Sequence, residues 1–174
     1  MGEIERKMVE QHRHQMNAAA HQQESRELSH RRAQEFVGIM RAHNVGKTAL
    51  YEVTTHVTPI PGTFFRPKPS TRYAQNTVRY TYELADAGWV VAEPDPDGND
   101  SHYMVLDSDE PGEVYRCTYP GYHRAEMEKR RIKIPESFML VSAPMKNERN
   151  EDAFGIYTQG VEMLADAAKK YLEA

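Results

Sequence analysis

Apolar residues are sparse in the first third of the chain, alternate with polar ones in the middle, and return to helical spacing at the end. Residues 3–37 contain neither Gly nor Pro and are rich in Glu, Gln, Arg, His, Ala and Met, most of them good helix formers. From Leu28 onward, Ala33, Phe36, Val37 and Met40 recur at helical spacing, which predicts a face docked on a core. Before Leu28, Ile4, Met8, His12, Met16 and Ala19 form only a thin stripe on a polar surface. A helix that polar is marginal alone, so residues 1–27 read as a projecting helix that pairs with another chain or a partner. Asn44 and Gly46 supply its stop signal.

The middle of the chain alternates with period two. Tyr51, Val53, Thr55 and Val57 make one series; Val78, Tyr80, Tyr82 and Leu84 make a second. Residues 89–93, 102–106 and 113–118 read as short strands separated by turn-rich stretches. Such short connections predict an antiparallel meander. Residues 137–142 suggest a further strand. Residues 152–172 form the best amphipathic pattern, with Phe154, Tyr157, Val161, Leu164, Ala168 and Leu172 on one stripe. The expected fold is α+β: an antiparallel β-meander packed by a long N-terminal helix and a C-terminal helix. Residues 28–174 form one domain, with a Pro-rich arm at 59–72 that cannot be an interior strand.

Composition supports one domain. The chain has 174 residues, 39% of them hydrophobic, and a net charge of −4. That small net charge hides a partition. Residues 85–115 carry nine acids and no Lys or Arg. Residues 44–84 carry five Lys/Arg against two acids, and residues 116–133 carry six against two. Separated blocks of opposite sign steer association and partner choice. The single cysteine, Cys117, excludes a disulfide framework and fits a reducing cytosol. The first residues lack the apolar run of a signal peptide, and no run approaches membrane-spanning length.

Candidate chemistry is thin. None of the histidines in the first helical region, His12, His14, His21, His30 and His43, has the i,i+3 or i,i+4 partner that a helical metal pair needs. Asp95-Pro96-Asp97-Gly98-Asn99-Asp100 resembles a calcium loop, but the EF-hand register puts Met104 at the bidentate glutamate position. Gly46-Lys47-Thr48 lacks the first glycine of a phosphate loop, because Arg41 stands there. Cys117 in an alternating strand reads as a small core residue. No catalytic residue, metal or cofactor is expected.

Binding residues are easier to name. For protein contact they are Ile4, Met8 and Met16 on the first helix. The acids Asp95, Asp97 and Asp100 form a possible docking turn, with Trp89 and Tyr103 as an apolar anchor beside it. For nucleic acid they are Phe64, Phe65, Arg66, Lys68 and Arg72 on the Pro-rich arm, with Arg124, Lys129, Arg130 and Arg131 after the sheet. A winged-helix variant of that reading makes residues 73–87 a recognition helix and residues 89–106 a wing.

Phe36-Val37-Gly38-Ile39-Met40-Arg41-Ala42-His43-Asn44-Val45, followed by Tyr51 and by Gly88-Trp89-Val90-Val91, resembles small uncharacterised proteins of actinobacteria and their phages. In those, a charged N-terminal helix leads into a small β domain. The resemblance spans about a quarter of the chain and carries no catalytic residue. It implies an accessory protein of a phage or mobile element. The expected function is a non-enzymatic, cytosolic protein acting by protein–protein contact, with homo-oligomerisation through the first helix. A nucleic-acid-binding regulator is the alternative, and an enzyme of unknown class the third reading.

Overall fold

The computed structural model describes residues 3–59, 76–92, 102–108, 114–149, 154–155 and 158–174. Helix α1 (Glu3–Ala42) is followed by strands β1 (Thr48–Pro59), β2 (Asn76–Ala92), β3 (His102–Leu106) and β4 (Val114–Cys117). Helix α2 (Gly121–Lys129), strand β5 (Phe138–Ser142), a 3-10 turn (Met145–Glu148) and helix α3 (Thr158–Glu173) complete the chain. The fold is α+β, with a mixed sheet in the order β4-β3-β2-β1-β5. The first four strands form the antiparallel meander, and β5 lies parallel to β1.

Helix α1 ends as its sequence dictates. Asn44 adopts φ 52°, the left-handed conformation that Asn tolerates. Val45 N–H then reaches the Met40 carbonyl at 3.1 Å and Asn44 N–H the Arg41 carbonyl at 3.1 Å, so the last turn's acceptors are satisfied. Burial along α1 begins at Ser25 and continues through Ser29, Ala33, Phe36, Val37 and Met40. The small members of this seam admit a backbone: Phe154 N–H donates to Ser29 Oγ at 3.2 Å and Arg32 donates to the Phe154 carbonyl at 2.9 Å. Phe36 meets Trp89 edge-to-face at 6.2 Å, and α3 adds Leu164, Ala167 and Ala168 to this core.

Helix α3 starts later than the apolar stripe suggests. Phe154 lies in a turn ahead of the helix, so the buried face is rotated: Val161 and Leu172 are exposed, and Ala167 takes a core position.

Strand β2 is one strand of 17 residues, where alternation alone suggests two. The pairings Leu50↔Asp86 and Tyr51↔Leu84 leave Ala85 as an extra residue, and Val91 is extra opposite β3. These bulges flip the alternation and bend the strand. The winged-helix reading falls here, because residues 76–87 form strand, paired with β1 on both sides of the bulge at Ala85.

The bent sheet curls onto itself. Thr118 N–H donates to the Leu140 carbonyl at 2.8 Å and Leu140 N–H to the Thr118 carbonyl at 3.0 Å, which joins the β5 edge to the end of β4. The result is a small, partly closed barrel filled by Leu50, Met104, Leu106, Tyr115, Cys117, Met139 and Val141. One end is plugged where Met145 N–H donates to the Glu52 carboxylate and Arg149 bridges to Tyr115. Helix α2 covers the outer face of β1 and β5 through Met127, its one buried residue, which meets Tyr51, Phe138 and Leu140.

Candidate functional site

Three surfaces emerge. The first is the amino-terminal part of α1. At 1.5 Å per residue the 40-residue helix is about 60 Å long, and every residue from 4 to 24 is exposed. Ile4, Met8 and Met16 are 76%, 64% and 60% exposed, with Val9 beside them.

The second surface is where the basic stretches on either side of the acidic block meet. Beyond the barrel, β1 and β2 pair only with each other among the described residues and form a ribbon, with Val57 and Val78 exposed opposite one another. At the ribbon's base Tyr80 and Tyr82 receive Tyr122 and His123 from α2. Tyr80 and His123 rings lie 4.8 Å apart, and Tyr82 Oη lies 2.9 Å from His123 Nδ1. Arg130 donates to the Tyr80 carbonyl and sits over the Tyr82 ring at 6.0 Å. Burial pushes Tyr82 above its ordinary pKa against the opposing pull of Arg130. Burial likewise pushes His123 below its ordinary value, against the nearby Glu126. Lys129 pairs with Glu126 at 2.9 Å and holds that carboxyl below its usual range. Arg124, Lys129, Arg130 and Arg131 are all exposed.

The third surface is the open mouth of the barrel. All five strands have an end there, because β1, β3 and β5 begin where β2 and β4 finish. A cleft of about 300 Å³ lies among Val90, His102, Tyr119, Arg124, Phe138 and Met139, with Thr48 and Ser137 on its rim. Arg124 stacks over the Phe138 ring at 4.9 Å and donates to the Glu136 carbonyl at 3.3 Å. His102 and Tyr119 rings meet at 5.2 Å. His102 is 6% exposed, and its Nδ1 has no hydrogen-bond partner among the described residues. From α3, the Tyr171 hydroxyl sits 3.1 Å from both the N–H and the carbonyl of Val90, satisfying β2 where β1 no longer pairs with it.

The structure separates several residues that the sequence groups together. Trp89 is fully buried, with its Nε1 donating to the Val45 carbonyl at 3.4 Å; it belongs to the core and cannot anchor a partner. Tyr103 is half-buried against the same core. Asp95, Asp97 and Asp100, and the Pro-rich stretch with Phe64, Phe65, Arg66, Lys68 and Arg72, lie outside the described residues. Asp107 is nearly buried and paired to both Arg41 and Lys47. Burial alone would raise its carboxyl, but the two cations hold it below the ordinary carboxylate range.

Sequence reasoning passes over Tyr80, Tyr82, Tyr122, His123, His102 and Tyr119. The available signal is Tyr119-Pro120-Gly121-Tyr122-His123, three rings in five positions next to a basic helix. Cys117 is buried in the barrel, which pushes its thiol up to about 12. Among the described residues, no group of three His, Cys, Asp or Glu side chains could hold a metal ion, and no helix is long and apolar enough to cross a membrane.

The chain matches no family model, no curated protein and no solved structure.

Proposed function

We propose that this is a non-enzymatic cytosolic binding protein, an accessory factor of a phage or mobile element, that acts by protein–protein contact through the first half of α1. The observation that carries the reading is the uninterrupted exposure of residues 4–24 on a helix whose other half is rooted in the core. A helical segment exposed along this length gains little from packing, the source of most helical stability. A second copy is the favoured occupant. Residues 4–24 hold three acids (Glu5, Glu10, Glu24) and three bases (Arg6, Lys7, Arg13), so two such helices meet without net repulsion. Light scattering on the intact chain should then give a dimer or larger species. Met8→Glu with Met16→Glu should give a folded monomer. An intact chain that stays monomeric at high concentration would defeat the proposal.

A second reading has its own support in the junction of the two basic stretches, where exposed Tyr122 and Arg130 both meet Tyr80 at the base of the ribbon. Aromatic rings among cations suit single-stranded nucleic acid. Binding of a labelled oligonucleotide should weaken steeply with salt, and more so in Arg130→Glu with Arg131→Glu. No binding at low salt removes this reading.

A further inference from the structure

We propose that the mouth of the barrel is a binding site for a small organic monocarboxylate with a flat, apolar body. Barrel mouths are preferred ligand positions because closed strands bring side chains from every element to one rim. Here the opposite end is plugged, and this one holds the cleft of about 300 Å³. That volume is at the small end of ligand sites, the size for a single ring.

The lining is chemically selective. Val90, Phe138 and Met139 supply apolar surface, and Phe138 and Met139 are almost wholly buried. His102 and Tyr119, held edge-to-face, supply ring walls. Arg124 is preorganised by Phe138 beneath it and by the Glu136 carbonyl, and it is paired with no carboxylate among the described residues. One of its N–H groups is used. The remaining fork matches the two oxygens of a carboxylate. Thr48 Oγ1 and Ser137 Oγ lie 3.1 Å apart; one proton lies between them and the other remains to donate. Among the described residues Arg124 is the one Arg or Lys in the lining, and a single cation suits a monoanion better than a phosphate dianion.

The test uses the full-length chain labelled with ¹⁵N and titrated with 4-hydroxyphenylacetate and, separately, with its neutral amide. The acid should shift the amide signals of His102, Tyr119 and Ser137 saturably, with a dissociation constant of about a millimolar or tighter for so small a probe. The amide should bind about tenfold more weakly, because it cannot make the charge-assisted pair. Arg124→Gln should reduce the acid to the amide's affinity and leave the amide unchanged. Arg79→Gln, on the exposed ribbon outside the cleft, should change neither. If Arg124→Gln does not fold, the acid-to-amide ratio on the natural chain decides alone. Equal binding of acid and amide, acid binding that survives Arg124→Gln, or no saturable shift up to about 20 mM would overturn the proposal. In the last case the cleft holds only water.

Discussion

Adding one methyl group to either of two glycines should move stability in opposite directions. Gly88 in β2 faces Leu106 in β3 across the ladder. A Cβ built there would lie 2.1 Å from the Val105 carbonyl oxygen and 2.8 Å from Leu106 Cα. Comfortable heavy-atom separations are about 3.5–4.0 Å, so β3 would have to retreat by about 1 Å or more. Backbone cannot rotate out of the way as a side chain can, and a shift of that size breaks the ladder between β2 and β3, which spans only residues 88–92 of β2. Gly88→Ala should therefore cost about 3 kcal/mol, the upper end for overpacking. Gly38 is the control: it is exposed within α1, and an added Cβ would meet nothing within 4 Å. Gly38→Ala should stabilise by about 1 kcal/mol, the helix-propensity difference. At about 2–4 °C per kcal/mol for a chain this size, the melting temperature should fall by about 6–12 °C in one variant and rise by about 2–4 °C in the other. Urea unfolding followed by the fluorescence of Trp89, the one tryptophan and fully buried, reads both. Gly88→Ala within about 0.5 kcal/mol of the natural chain would refute the close approach of β2 and β3.

Asp107→Asn should cost about 1 kcal/mol at neutral pH, discounted because Arg41 and Lys47 are each about half exposed. The folded-state pKa of Asp107 lies below its ordinary value, so its contribution is complete above the ordinary carboxylate range and is lost as pH falls through the lowered value. Urea midpoints of the two chains should therefore converge as pH falls below the ordinary carboxylate range, and a constant gap would contradict the pairing. Cys117, buried and with its thiol pushed up to about 12, should resist alkylation in the native state and react only as fast as the protein opens. Rapid labelling of the folded protein would show that the barrel is not closed over it.

Local features were legible where one residue type answers one physical demand. Asn44 ends α1 because Asn tolerates a positive φ. Ala33, Phe36, Val37 and Met40 face the core because their spacing places them on one side of a helix. The meander follows from alternation and short connections. What sequence could not supply were the relations between distant segments. Ala85 and Val91 look like ordinary strand residues, and only their pairing partners make them bulges that join two apparent strands and bend the sheet. Strand β5 closes the barrel through backbone bonds to Thr118, which no side-chain pattern encodes. Trp89 reads as an exposed anchor until Phe36 is set against it in the core. The mouth is the extreme case, because His102, Arg124, Ser137 and Thr48 converge there from four segments of the chain. Their chemistry arises from a shared opening, and an opening is a property of closed strands in space, not of any run of residues along the chain.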